Sequence, residues 1–193
     1  MTNKALQDFN KKIHPHLKPS KNGSVITICE QEEKSVVKKI CFHFKNYDDV
    51  VMIQQKRSGK KECLGIKNLL QHKPTLESCD FIALICKNKV LKIYFCEIKS
   101  INSKEHREKA IKQIKNSRIF FEYLVKSYKE CCEIENCEID KGESYNLYIY
   151  PSTVSSKMPT HFSKENNLKF KKIHINDEGI ANIENAYNFF DIY

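Results

Sequence analysis

Asp80, Glu97 and Lys99 are the residues whose types and spacing could do chemistry. Asp80 opens an apolar run, Phe81-Ile82-Ala83-Leu84-Ile85-Cys86, which breaks at Lys87-Asn88-Lys89. The run resumes as Val90-Leu91-Lys92-Ile93-Tyr94-Phe95-Cys96 and ends on Glu97-Ile98-Lys99. Two β-branched and aromatic segments split by a short polar break predict a β-hairpin. A two-residue loop at Asn88-Lys89 sets Lys87 opposite Val90, and so Asp80 opposite Glu97. A four-residue loop gives the same pairing, and a three-residue loop slips it by one. Directly opposed side chains lie roughly 4.5–5.5 Å apart at Cβ, where like charges repel. Alternate residues of a strand share a face, so Lys99 falls on the side of Glu97. The hairpin thus ends in two acids and one amine. Hard oxygen ligands at this spacing suit Mg²⁺ or Mn²⁺, whose charge would offset the repulsion.

An Asp, a gap of about one hairpin and then Glu-x-Lys resembles the PD-(D/E)xK nuclease superfamily, on Asp80 with Glu97-Ile98-Lys99. Cys79 stands where that pattern has a proline. The resemblance implies a restriction-endonuclease-like α/β core, ordered α-β-β-β-α-β, with a central mixed sheet flanked by helices. It implies phosphodiester hydrolysis. Asp80, Glu97 and the backbone carbonyl of Ile98 would hold one or two ions of Mg²⁺ or Mn²⁺, which lower the pKa of a bound water and polarise the phosphate. Lys99 would orient the water or stabilise charge building on the phosphate. Members often carry a Gln or Lys on the helix after Glu-x-Lys, and Gln113 takes that place as support for the metal site. Some add a carboxylate from the first helix, which Glu33 or Glu30 could supply.

Other elements must position this hairpin. After Ser100-Ile101-Asn102-Ser103 the pattern predicts a helix near Lys104 to Tyr128, capped by Ser103 or Asn102. Its apolar stripe is Ala110, Ile111, Ile114, Phe121, Leu124, Val125 and Tyr128, with the polar Gln113 on its flank beside Ala110 and Ser117. Lys112 and Lys115 lie off the stripe, as a solvated face or a nucleic-acid-contacting one. Upstream, residues 1–23 are Lys- and Asn-rich with Pro15 and Pro19, and read as a loosely structured polar arm. Residues 24–193 read as one nuclease-like domain with its core at about 30–150. Val25 to Cys29 is a candidate strand. Val36, Val37, Ile40, Cys41 and Phe44 recur at helical spacing from Glu30 to Phe44, with strand as the competing reading. Val50-Val51-Met52-Ile53 reads as a buried strand. The loop Lys56-Arg57-Ser58-Gly59-Lys60-Lys61 is the densest cationic run, solvated or phosphate-contacting. A helical stripe follows from Cys63 to Leu70. Downstream, Tyr145 to Tyr150 reads as a strand, Lys169 to Ile175 as another, and Glu178 to Phe190 as a terminal helix.

The chain has 193 residues, 40% of them hydrophobic, enough for one domain with a real core. Its formal net charge is +9, which favours a polyanionic partner, although Lys, Ile and Asn are abundant throughout, as in Lys-rich proteomes. No run approaches the ~20 apolar residues of a membrane span. The first residues hold no hydrophobic signal core, so a cytoplasmic protein without a membrane partner is expected. Nine cysteines include no Cys-x-x-Cys, and their odd number argues against a fully paired secreted framework. Cys131, Cys132 and Cys137 cluster without a nearby His as fourth zinc ligand.

Three classes of function stand on these residues: a divalent-metal-dependent DNA endonuclease, a catalytically silent nuclease-like module that binds nucleic acid, and a protein-binding domain with accidental acids. All three of Asp80, Glu97 and Lys99 being present favours the first over the second, because binding alone needs no acid pair. The charge disfavours the third. No base-reading element is visible, so RNA stays open beside DNA. Cutting both strands in one event would need a homodimer.

Overall fold

The computed structural model describes residues 1–30, 34–55, 77–135, 137–152 and 167–191. Helix α1 (Asn3–Lys12) leads through a 3₁₀ turn at Pro15–Leu17 to strands β1 (Ser20–Asn22), β2 (Val25–Cys29) and β3 (Lys39–His43). Strands β4 (Val50–Ile53), β5 (Phe81–Lys87) and β6 (Val90–Ile98) follow. The long helix α2 (Lys104–Cys131) carries the chain to β7 (Glu143–Pro151). The chain closes with β8 (Leu168–Ile173), β9 (Ile180–Ile183) and the short helix α3 (Ala186–Phe189). The class is α/β.

The central sheet runs β4-β5-β6-β7-β8. Its first three strands form an antiparallel meander. Its last three are parallel. A parallel neighbour needs a crossover, and α2 supplies the one between β6 and β7. A second sheet, β1-β2-β3-β9, is antiparallel except where β9 joins β3.

Strand β5 is apolar from Phe81 to Cys86 because both of its faces are covered. Phe81, Ala83 and Ile85 pack with Ile26, Ile28, Ile40 and Phe42 of the second sheet. Ile82, Leu84 and Cys86 pack with Leu6 and Phe9 of α1 and Ile114 and Phe121 of α2. The molecule is therefore layered as helices, central sheet and second sheet.

Three elements differ from the sequence reading. The N-terminal stretch is not a loose arm up to residue 23. Thr2 caps α1 by accepting the Ala5 amide at 3.2 Å, and Leu6, Phe9, Ile13 and Leu17 are buried in the helix-side core. Those four side chains recur at helical spacing, and burying each contributes about 1.5–3 kcal/mol, enough to order a segment that is polar on average. The span from Glu30 to Phe44 is not a helix over its described residues. Lys39–His43 is a strand, because the alternating set Ile40, Phe42 and Phe44 fills the space between the sheets. Its period of two outcompeted a period of 3.6 that used Val36 and Cys41 instead. The terminal segment from Glu178 is β9 and then one turn of helix. Gly179, at φ +75°, closes a turn on Asn176 and delivers Ile180 onto β3.

The expected strands at Val25–Cys29, Val50–Ile53 and Tyr145–Tyr150 are present within β2, β4 and β7. The expected helix near Lys104–Tyr128 is α2, and Ser103 is its cap. The cationic loop Lys56, Arg57, Lys60 and Lys61 and the helix expected from Cys63 lie outside the described residues. Among the described residues no helix is long and apolar enough to cross a membrane. The described cysteines are unbridged.

Candidate active site

The hairpin turn is two residues long. Asn88 and Lys89 both take positive φ, +53° and +65°, the conformation a type I′ turn requires. The ladder runs from Lys87 opposite Val90 to Phe81 opposite Cys96. Beyond that pair the regular register stops. The Asp80 amide donates at 3.1 Å to the carbonyl of Cys96, already the partner of Phe81, so Asp80 does not fall squarely opposite Glu97 as a continued ladder would place it. Alternation fixes the face. Leu91, Ile93 and Phe95 point to the helix side, and so do Ile82, Leu84 and Cys86. Glu97 and Lys99 continue the series of Leu91, Ile93 and Phe95 onto the face that carries α2, and Asp80, just before β5, lies within reach of both charges.

The three side chains are held in different ways. Asp80 is half-buried as a residue, and its Oδ2 accepts the Ile98 amide at 2.6 Å. Glu97 is wholly buried. Lys99 is 8% exposed, and its Nζ donates to Glu97 Oε1 at 2.5 Å. The Lys99 amide continues the parallel ladder by donating to the Ile149 carbonyl at 2.9 Å. Asp80 has its pKa raised well above the usual carboxylate range. Burial is the largest cause, followed by the charges of Glu97 and Glu30, while the Ile98 amide and Lys99 pull the other way. Burial and the two nearby like charges each disfavour the ionised form of Asp80.

Glu30 therefore stands near Asp80. It follows the end of β2 rather than lying on a first helix, and its amide donates to the Lys38 carbonyl at 3.0 Å. Glu33 lies outside the described residues. Gln113 is buried on α2, and its Nε2 donates to the Ser78 carbonyl at 3.4 Å, so it holds the chain just before Asp80. Its Oε1 finds no hydrogen bond among the described residues. Lys112 and Lys115 are exposed, and the structure does not bring them to the acids.

Tyr148 escaped the sequence reading. It pairs with Glu97 across the parallel ladder and is wholly buried. Its hydroxyl donates to the Ile101 carbonyl at 2.5 Å, pinning the turn that follows Lys99. Burial pushes the phenol up to about 12, with Lys99 and Arg107 drawing it down and Glu97 adding to the rise. Its alternation in β7 was visible, but the register of a parallel neighbour is not written in local sequence.

The donor set fits a hard divalent cation. Mg²⁺ is commonly held by one or two carboxylates, with water and phosphate oxygens completing its shell. Asp80 and Glu97 supply that number, and the Glu97 charge adds to the rise that burial gives the Asp80 pKa. Among the described residues no three Asp, Glu, His or Cys side chains form a complete metal-binding group. The Cys131, Cys132 and Cys137 cluster is likewise no such group. No known family model, curated protein or solved structure matches the chain.

Proposed function

We propose that this chain is a divalent-metal-dependent endonuclease of PD-(D/E)xK type that hydrolyses DNA phosphodiester bonds. One observation carries the reading: Asp80, Glu97 and Lys99 are gathered at the end of a two-sided apolar hairpin. The element order supports it. Counting α1 as the first helix and β1–β3 as an insertion, the order α1, β4, β5, β6, α2, β7 is α-β-β-β-α-β.

Asp80 and Glu97, with the Ile98 carbonyl, would hold Mg²⁺ or Mn²⁺, and Glu30 is a further acid whose charge reaches Asp80. When bound, the ion supplies Lewis-acid activation of water and of the phosphodiester. Asp80 must be ionised to act, so its raised pKa makes low pH inhibitory. Lys99 holds a positive charge at Glu97 that can turn to a phosphate oxygen as charge develops there. The net charge of +9 favours the polyanionic substrate. A restriction, defence, repair or mobile-element role accommodates this chemistry, and a homodimer would let both strands be cut together.

Supercoiled plasmid incubated with the protein and Mg²⁺ or Mn²⁺ tests the reading. Nicking or linearisation is expected from the wild type, abolished by chelator and by Asp80→Ala. Cleavage that survives both Asp80→Ala and Lys99→Ala removes the site. A second reading, a catalytically silent nucleic-acid-binding module, is favoured by the closed Glu97–Lys99 pair, which occupies one carboxylate oxygen. Salt-sensitive DNA binding with no cleavage under either metal selects it.

A further inference from the structure

We infer that one face of α2 is a positioning clamp for Asp80, with Ser117 as its central member. The inference rests on the nuclease reading and names residues that act on Asp80 only through the backbone before it.

Glu77, Ser78 and Cys79 precede the first ladder pair of β5. Each is gripped by α2. Asn116 Nδ2 donates to the Glu77 carbonyl at 3.1 Å. Gln113 Nε2 donates to the Ser78 carbonyl at 3.4 Å. Ser117 Oγ accepts the Cys79 amide at 2.8 Å. Lys109 adds an ion pair to the Glu77 carboxylate at 3.0 Å. Positions 109, 113, 116 and 117 fall on one face of a helix, so the whole grip turns as one rigid body with α2.

Ser117 is distinguished by its surroundings. It is wholly buried on a helix whose other buried positions include Ile114, Phe120 and Phe121, where an ordinary core would place Ala. Its hydroxyl is used in both directions: it accepts from Cys79 and donates to Gln55 Oε1 at 2.8 Å, just past the end of β4. A buried hydroxyl with both roles satisfied has one orientation. It therefore ties α2, the end of β4 and the residue before Asp80 into one fixed geometry. From the other side, Asp80 is fixed by its amide on Cys96 and its carboxylate on the Ile98 amide. The carboxylate is thus located relative to Glu97 by bonds on both flanks, which is what an acid pair needs if it is to meet one cation without rearranging.

The test compares wild type, Ser117→Ala and Asn116→Ala by calorimetric titration with Mn²⁺ alone and by the Mg²⁺ concentration giving half-maximal plasmid nicking. Folding is checked by circular dichroism. Ser117→Ala is expected to weaken Mn²⁺ binding by about 10–100-fold and to raise the Mg²⁺ requirement in parallel. The nicking rate at saturating Mg²⁺ should stay near wild type, because no group touching the substrate has changed. Wild-type Mn²⁺ affinity in folded Ser117→Ala, even at a lower melting temperature, overturns the clamp and leaves the nuclease reading standing. If Ser117→Ala does not fold, Asn116→Ala is read in its place, with a several-fold weakening expected and wild-type affinity overturning the proposal. Absence of both Mn²⁺ binding and cleavage in the wild type removes the nuclease reading and the clamp with it.

Discussion

Glu97 and Lys99 show what burial does to a charge. Neither has appreciable solvent, and each is the other's partner at 2.5 Å. Removing one partner of such a pair costs about 3–5 kcal/mol, because the survivor stays buried and uncompensated. Lys99→Met should therefore lose that much stability in urea denaturation, and adding Glu97→Gln should restore most of it without restoring cleavage. A double variant no more stable than Lys99→Met would show that Glu97 does not suffer from losing its partner. Asp80 gives a pH signature of definite sign. Its folded-state pKa is raised by burial, Glu97 and Glu30, so its contribution to stability is full at pH below the ordinary aspartate value and is lost as pH rises through the folded value. Without divalent ions, Asp80→Asn should be more stable than wild type at neutral pH, with the difference vanishing in acid. Mg²⁺ should stabilise wild type and leave Asp80→Asn unmoved in thermal melts. Equal melting curves for the two proteins at neutral pH would contradict the placement of Asp80 among those acids.

At the level of elements, the hairpin carries a conformational cost at its turn. Lys89 sits at φ +65°, where an L side chain costs about 1–2 kcal/mol and glycine nothing comparable. Lys89→Gly should raise stability by about 1 kcal/mol and leave metal dependence unchanged, since the turn is at the far end of β5 and β6 from Asp80. Gly179 is the opposite case. A Cβ there would lie 2.4 Å from the Val36 carbonyl oxygen, and φ is +75°. Gly179→Ala is expected to cost more than about 1 kcal/mol and to loosen the edge where β9 meets β3, read as faster hydrogen exchange at Lys38 and Lys39, whose amides donate to the Gly179 carbonyl. The hairpin was readable in advance because its signal is local: alternating apolar runs, a polar break and a two-residue turn. The strand at Lys39–His43 was not, because Val36, Val37, Ile40 and Phe44 satisfy helical spacing nearly as well, and only packing against β2 decides between them.

Across the whole molecule the excess of positive charge is the feature that reaches furthest into solution. If it serves a nucleic acid, affinity must fall linearly with the logarithm of salt concentration, with a slope of about −0.9 per phosphate neutralised. Lys112 and Lys115 are exposed on α2, so Lys112→Ala and Lys115→Ala should each reduce the slope by about one unit without changing sequence preference. Duplex-binding isotherms between low and moderate salt measure this. Unchanged slopes would assign these two lysines to a merely solvated face.

The identity of the acids, their spacing and the hairpin whose end gathers them were determined by the sequence, because turn length and strand alternation act between near neighbours, whereas the register break at Asp80 was not. The helix α2 and its cap at Ser103 were determined in the same way. Tertiary structure alone decided that Glu30 approaches from the second sheet, that Tyr148 lies beside Glu97, and that the polar face of α2 grips the residues before Asp80. Those contacts join segments 35 to 51 residues apart. Their register depends on how sheets and helices pack, which no local pattern encodes.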